Sequence, residues 1–260
     1  MSSEKKYSIE NYPRPSVAVD GVLFGLESVP SEQRSRLDTK KLKILLVRRG
    51  SEPHKGMFAL PGGFLRENET VEQALYREIN EETGISDEPK IINLGVYSKQ
   101  GRDSRGWIIS CAFLALTNKV SISSQEGSDA SEARWFDFEY SGADGKSETV
   151  IKLTDDENTI TLLYQNGKFT GGQAIAFDHA EIIYDAFMKL REEVVIHDLI
   201  FPLLPPLFTI ADLQQPYELI TGIMTSPANF RRKMLTKIEE TSESAAAVSH
   251  RPAKLYRVRR

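Results

Sequence analysis

The stretch Gly62–Ile85, "GGFLRENETVEQALYREINEETGI", decides how the chain is read. From Thr70 to Thr83 it holds neither Gly nor Pro and is rich in strong helix formers. It therefore predicts a helix over 70–83, with Gly84 where a C-terminal cap belongs. Successive residues advance about 100° around a helix. On that wheel Val71, Ala74, Leu75 and Ile79 form an apolar side, and Glu78, Glu81 and Glu82 overlap it instead of lying opposite. Carboxylates on a core-facing side lose hydration and repel one another, which favours protonation or a bound cation. Oxygen donors with no neighbouring His or Cys suit a hard cation, so Glu78, Glu81 and Glu82 are candidate ligands for Mg²⁺ or Mn²⁺.

Working outward, the helix is flanked by strand-like runs. "SVAVDGVLFGL" (Ser16 to Leu26) and "LKILLVRR" (Leu42 to Arg49) precede it. "IINLGVYS" (Ile91 to Ser98), "WIISCAFLALT" (Trp107 to Thr117) and "EARWFDF" (Glu132 to Phe138) follow it. These segments are rich in Val, Ile, Leu and aromatics, which suits a pleated surface. "TITLLYQNGKFTGG" (Thr159 to Gly172) carries Asn166-Gly167, a hairpin signal. "DHAEIIYDAFMKLREEV" (Asp178 to Val194) reads as a second helix opened by a capping box of Asp178 and Glu181. Strands interleaved with helices predict an α/β fold with helices on a mixed sheet.

A length of 260 residues allows two domains or one enlarged by insertions, and 40% hydrophobic with 27% charged residues supports an ordinary soluble core. The most apolar segment, "LIFPLLPPLF" (Leu199 to Phe208), is short and broken by prolines, so it is no membrane span. The N-terminal residues lack the apolar run of a signal peptide, and the single cysteine, Cys111, is expected as a buried thiol. A cytoplasmic protein is the expectation. Charge is unevenly spread: residues 229–260 hold nine Lys or Arg against three Asp or Glu, although the whole chain has a net charge of −4. A basic end on an acidic chain points to a polyanionic partner.

That end has its own pattern. Thr209 and Asp212 can cap a helix reaching about Gly222, with Pro216 expected to kink or shorten it. Ser226-Pro227 opens a further helix in "ANFRRKMLTKI", and strand-like pieces lie at 237–243 and 253–258. Helix, turn, helix and hairpin is the order of a winged helix. Phe230, Met234 and Ile238 fall inward on the last helix, whereas Asn229, Arg232, Lys233 and Thr236 face out, suited to double-stranded DNA in the major groove. Arg251, Lys254 and Arg257 fall on the presumed wing, placed for backbone phosphates.

Gly63, five residues, Glu69, seven residues and then Arg77-Glu78-Ile79-x-Glu81-Glu82-x-Gly84-Ile85 resembles the complete Nudix box at every fixed position. The resemblance implies an α/β/α sandwich and cleavage or binding of compounds in which a group X is linked to a nucleoside diphosphate. It also implies metal ligation by Glu78, Glu81 and Glu82, with Arg77 and Glu69 in support. Glu78, Glu82 and the loop acids Glu126, Asp129 and Glu132 all remain candidates for the base that activates water. Gly62 and Gly63 would bring the loop close to phosphate. "GRDSRG" (Gly101 to Gly106) is similar to the "GRDPRG" segment of ADP-ribose-handling and regulatory Nudix branches, with Ser104 in place of Pro. Arg102, Asp103 and Arg105, together with Arg48 and Arg49, are thus candidate ligand contacts. Trp107 and Phe58 are aromatics that can stack on adenine, with a core role the ordinary expectation for both.

The basic segments "NFRRKM" and "HRPAKLYR" resemble the winged helix of Nudix-related transcriptional regulators of the NrtR type. Such a resemblance implies a Nudix domain over 1–195, with an insertion at about 139–173, and a winged helix over 196–260. It implies a homodimeric regulator of NAD-metabolism or sugar-utilisation genes that senses ADP-ribose or a related metabolite. The alternative is a Mg²⁺-dependent pyrophosphohydrolase cleaving ADP-ribose-like compounds to AMP and a sugar phosphate. The intact box keeps both readings open.

Overall fold

A computed structural model describes residues 8–30, 38–120, 130–142, 148–171, 174–244 and 253–259. In chain order the described elements are β1 (Ser16–Val29), β2 (Thr39–Arg49), β3 (Phe58–Ala59), β4 (Gly62–Phe64) and α1 (Val71–Thr83). Next come β5 (Lys90–Tyr97), β6 (Ile108–Thr117), β7 (Ala130–Gly142), β8 (Glu148–Thr154), β9 (Thr159–Gln165), β10 (Lys168–Gly171) and α2 (His179–Ile196). The C-terminal part holds α3 (Ile210–Thr221), α4 (Pro227–Met234), β11 (Ile238–Ser244) and β12 (Lys254–Val258).

The main sheet runs β10-β9-β8-β7-β2-β1-β6-β5, with β3 paired to β2 and β4 to β1. β1 and β6 are parallel, Ser16 lying opposite Ile108, and β1–β2, β2–β7 and β5–β6 are antiparallel, so the sheet is mixed. Period-two alternation sorts the central strands onto two faces. Val19, Leu23, Leu45, Phe113 and Ala115 pack against Ala74, Leu75 and Ile79 of α1. Val22, Phe24, Ile44, Leu46, Ala112 and Leu114 face the other way, onto Ile183, Phe187 and Leu190 of α2. The result is the expected α/β/α sandwich.

Both ends of α1 are closed locally. Thr70 and Gln73 form a reciprocal capping box, and Gly84 adopts φ 71°, a left-handed cap whose N–H donates to the Asn80 carbonyl. The stretch beyond β7 continues the sheet: β8 and β9 pair antiparallel, and Ile151, Leu153, Ile160 and Leu162 enlarge the core beneath α2. Asp155 closes the turn between them by accepting from the Glu157 and Asn158 amides. The Asn166-Gly167 hairpin forms as expected, both residues at positive φ (53° and 77°).

Two local expectations fail. Asp178 does sit at the N-cap of α2, but its side chain caps nothing. Its carboxylate accepts instead from Arg102 Nε and Nη2 at 2.9 and 2.7 Å, a charge-assisted fork stronger than a neutral cap bond. Pro216 does not shorten α3, which runs on to Thr221 and ends at Gly222 with φ 72°. Its ring is buried with Leu213 and Tyr217, so packing offsets the lost backbone bond.

The C-terminal elements form a winged helix. β11 and β12 pair antiparallel, and Phe208 bridges to Tyr256 through two backbone bonds, adding a third short rung beside the wing. Phe208, Leu213, Tyr217, Phe230 and Met234 join the same apolar cluster as Leu190 and Val194 of α2. Polar ties cross the same junction: Lys40 Nζ lies 2.8 Å from Asp212, the Lys40 amide donates to Gln215 Oε1 at 3.1 Å, and Arg191 donates to the Thr221 carbonyl at 3.0 Å. No helix among the described residues is long and apolar enough to cross a membrane.

Candidate functional site

The carboxylates of α1 are gathered by Arg77. Its Nε and Nη2 form a fork onto Glu69 at 3.0 and 2.7 Å, and its Nη1 donates to Glu78 at 2.6 Å and to Glu81 at 3.2 Å. The i,i+4 spacing of Arg77 and Glu81 makes the last contact local. Hydrogen bonds from Arg77 hold the Glu69 carboxyl down at about 2, and Glu69 in turn raises Arg77 above the ordinary arginine value. Arg66, which sequence reasoning missed, forks onto Glu81 at 3.3 and 3.1 Å. Glu81 is thus on the rim, its side chain 44% exposed, whereas Glu78 is 13% exposed.

Glu82 points the other way and accepts from the Gly62 amide at 3.0 Å. Burial, and then the negative charges of Glu78 and Asp20, push its carboxyl up to about 8. The two glycines before the helix are needed for close packing. A Cβ on Gly62 would stand 2.2 Å from the Val19 carbonyl oxygen, and one on Gly63 would stand 2.3 Å from Glu78 Oε1. Both residues pair with β1, so the space a side chain would fill is already held by strand backbone and by a box carboxylate.

Beneath them lies a buried polar floor. Asp20 interrupts the apolar run 17–26 of β1, accepts a hydrogen bond from Ser110 and stands 3.5 Å from Arg102 Nη2. His179 is buried, and its Nδ1 accepts the Leu60 amide proton at 2.9 Å. In the neutral ring the proton therefore sits on Nε2, which faces Asp20 Oδ1 at 3.5 Å, and burial holds the imidazole below its ordinary pKa. Arg102 is nearly as buried; burial alone would lower its pKa, but Asp178 and Asp20 hold it above the ordinary value. Of these residues sequence reasoning selected only Arg102. A lone Asp inside "SVAVDGVLFGL" was the available signal for Asp20, whereas nothing local marked Ser110 or His179.

Floor and helix face a cavity of about 150 Å³, walled on the far side by Arg49, Arg105 and Phe177. Arg49 Nε donates to the Pro53 carbonyl at 2.8 Å. Arg105 is anchored along one edge by Asp103, through Nε at 3.1 and 3.2 Å and Nη2 at 2.7 Å. Asp103 is itself buried; its burial is outweighed by the hydrogen bonds from Arg105, so its pKa is lowered. Arg48 also lines the cavity, its Nε on the Gly56 carbonyl at 3.2 Å. The walls carry both signs: Arg48, Arg49, Arg102 and Arg105 line the cavity together with Asp20, Glu82 and Asp103, with Asp103 beside Arg105 and Arg102 beside Asp20. Phe58 is a core aromatic, packed edge-on against Phe136. Trp107, by contrast, is 57% exposed beside a second cavity of about 480 Å³ that shares Ile108 with the first. Cys111 is half-buried rather than buried, and burial raises its thiol pKa. Glu126 and Asp129, as well as the Glu132 side chain, lie outside the described residues.

At the other end of the molecule, Asn229 and Arg232 are exposed on α4 and bonded to each other at 3.2 Å. Thr236 donates back to the Lys233 carbonyl. Lys233 reaches the α3 side of the domain: its ammonium donates to the Tyr217 hydroxyl at 2.8 Å and lies 4.7 Å from that ring. On the wing, Arg257 pairs with Glu239 at 2.6 Å and Lys254 with Glu240. Arg251 lies outside the described residues.

A mixed sheet between α1 and α2, a glutamate-rich helix turned to a cavity lined by both signs of charge, and a winged helix sharing its core together define a Nudix-fold protein with a DNA-binding module. The NUDIX domain model matches residues 36–166, and the NrtR DNA-binding winged helix domain model matches residues 200–258. The chain is 31% identical to the ADPR responsive transcriptional repressor NtrR of Acinetobacter baylyi, over 97% of this chain and 85% of that one. It is 44% identical to an ADP-ribose pyrophosphatase of Methanocaldococcus jannaschii, over 52% of this chain and 68% of that one. The crystal structure of Shewanella oneidensis NrtR complexed with a 27mer DNA superposes with a TM-score of 0.62 at 25% identity, covering 94% of this chain and 93% of that chain. The chain belongs to the NrtR family within the Nudix superfamily.

Membership implies a divalent cation at the α1 carboxylates. Among the described residues no three carboxylate, imidazole or thiolate groups converge on one point, because Arg77 draws in Glu78 and Glu81 while Gly62 holds Glu82. The donor chemistry nevertheless fits: Glu78, Glu82 and Asp20 crowd like charges, and all offer oxygen to a hard cation.

Proposed function

We propose that the protein is a transcriptional regulator whose Nudix domain binds ADP-ribose or a closely related nucleoside diphosphate and whose winged helix binds operator DNA. The carrying observation is the shared core: α2 runs from the cavity, which His179 lines, to the junction where α3 docks, so one helix touches both the cavity and the winged-helix domain. Arg49 and Arg105 suit the diphosphate, and Glu78, Glu81 and Glu82 would hold Mg²⁺ or Mn²⁺, with Arg77 and Glu69 orienting them. When bound, the cation would neutralise charge between the carboxylates and the phosphates. Asn229 and Arg232 of α4 would meet base edges and phosphates, with Thr236 in the turn that follows because α4 ends at Met234, short of the expected helix, and with Arg251, Lys254 and Arg257 on the wing. A homodimer would match a palindromic operator. The test is fluorescence anisotropy with the protein's own promoter DNA across a salt series, with and without ADP-ribose. Affinity should fall steeply with salt and change on adding ADP-ribose; salt-insensitive binding, or none, would sink the reading.

The intact box and the likeness to a pyrophosphatase support a second reading, in which ADP-ribose is also cleaved to AMP and a sugar phosphate. Product analysis with Mg²⁺ tests it. Turnover should vanish in Glu82→Gln, and absence of turnover in the unaltered protein would leave binding alone.

A further inference from the structure

Phe177 stands immediately before the N-cap of α2, half-buried, with φ 55°. Left-handed backbone is unfavourable for a bulky aromatic residue, since its Cβ crowds the carbonyl. Its neighbours hold it there: the Phe58 amide donates to the Ala174 carbonyl, the Ala176 amide donates to the Phe58 carbonyl, Asp178 is forked by Arg102, and His179 accepts from Leu60. A glycine would meet the same backbone without strain, so the ring itself needs a reason.

The ring's surroundings supply one. Arg49 Cζ lies 4.8 Å and Arg105 Cζ 5.3 Å from its centroid. A guanidinium held against an aromatic face keeps its in-plane N–H groups for other partners, unlike one held by a carboxylate. Among the described residues, Arg49 uses only Nε on protein, and Arg105 turns Nε and Nη2 to Asp103. Each therefore has one edge anchored, the Phe177 ring against it, and Nη donors left at the cavity; Arg105 meets a second ring, Phe64, at 4.9 Å, so Phe177 is the ring the two arginines share. Two like charges on one ring repel, and an anion large enough to touch both relieves that repulsion.

We infer that Phe177 is a positioning residue: its ring holds Arg49 and Arg105 together as a cradle for the diphosphate of the ligand. This rests on the reading of the cavity as a nucleoside-diphosphate site. A single carboxylate satisfies one guanidinium fork, whereas a diphosphate has oxygens for both. Removing the ring should leave the fold intact and the arginines unpaired in space.

The experiment is isothermal titration of the full chain with ADP-ribose and, separately, with inorganic pyrophosphate, using the unaltered protein, Phe177→Gly and Phe177→Tyr. Phe177→Gly relieves the left-handed strain but gives up the ring's packing on Val47, Ala59 and Ala176 and frees the unfolded chain, so it should remain folded at the titration temperature, checked by a thermal melt, yet bind both probes on the order of tenfold more weakly. Phe177→Tyr should bind within about twofold of the unaltered protein. A double-mutant cycle separates positioning from bulk structure: if Phe177 acts through Arg49, the losses in Phe177→Gly and Arg49→Ala should not add. Unchanged affinity in Phe177→Gly, or additive losses, would overturn the inference and leave the ligand reading standing. If the unaltered protein binds neither probe, both fall.

Discussion

Lys40 and Asp212 meet at 2.8 Å across the junction between the sheet and the winged helix, and Asp212 simultaneously accepts from the Thr209 amide at 3.0 Å. One carboxylate thus caps α3 and fixes α3 to β2. Burial would raise the Asp212 pKa, but Lys40 and Thr209 outweigh it and hold it below the ordinary value. Because the pair is partly exposed, solvent discounts its worth. Chemical denaturation of Lys40→Met, Asp212→Asn and the double variant should give a coupling of about 0.5–1 kcal/mol. Asp212→Asn alone should cost more than Lys40→Met, since it also weakens the cap. Equal costs would mean the cap is not strengthened by charge.

Gly62 and Gly63 are adjacent but obstructed by different things. The Cβ of Gly62→Ala meets the backbone oxygen of Val19 in a paired strand, which cannot swing aside. The Cβ of Gly63→Ala meets the end of the Glu78 side chain, which can. Gly62→Ala should therefore destabilise by about 1–3 kcal/mol or more, the overpacking range. Gly63→Ala should fold with a smaller loss but lose the 2.6 Å Arg77–Glu78 contact. Thermal unfolding of the two variants side by side checks the order, and the reverse order would refute the packing account.

Glu69 has its carboxyl held at about 2 by the Arg77 fork. Its folded pKa lies below its unfolded value, near 4.3 for a free glutamate, so the stabilisation is complete above that pH. It must decay as pH falls from about 4.3 toward 2, where the folded state also takes the proton. Glu69→Gln should thus be less stable than the unaltered protein at pH 6 and converge with it near pH 2. Urea melts along that pH series measure the difference; a gap that persists at pH 2 would assign the role of Glu69 to shape instead of charge.

How much of this was legible in the sequence differs from element to element. The box helix was, because three carboxylates overlapping an apolar stripe is a pattern that solvation alone does not explain. The strand β8 was not, although Thr149, Ile151 and Leu153 alternate into the core; polar and charged neighbours masked the period in so short a run. Arg102 was found as a charge but not as a buried tie, since its partners Asp178 and Asp20 lie 76 and 82 residues away. The Phe177 conformation left no trace at all, because no turn residue marks it and the energy holding it comes from tertiary contacts.

The outward face of α4 offers the last discrimination. Helical spacing assigns Arg232 and Lys233 equally to DNA, but the structure gives them different occupations. Among the described residues Arg232 bonds only to Asn229 on the same exposed face, whereas Lys233 donates to the Tyr217 hydroxyl and lies over its ring. Tyr217 also packs 5.3 Å from Phe230, so Lys233 is linked to the centre of the domain. If Arg232 neutralises a phosphate, Arg232→Ala should weaken promoter DNA binding and lower the slope of log affinity against log salt by about 1, with little change in melting temperature. Lys233→Met should do the opposite, lowering stability by about 0.5–1 kcal/mol through the lost cation–π contact and hydrogen bond while nearly preserving the slope. Salt titrations by anisotropy, paired with thermal melts of the same variants, decide it: a full unit of slope lost in Lys233→Met with no loss of stability would place its ammonium on DNA and show that the Tyr217 contact is given up on binding.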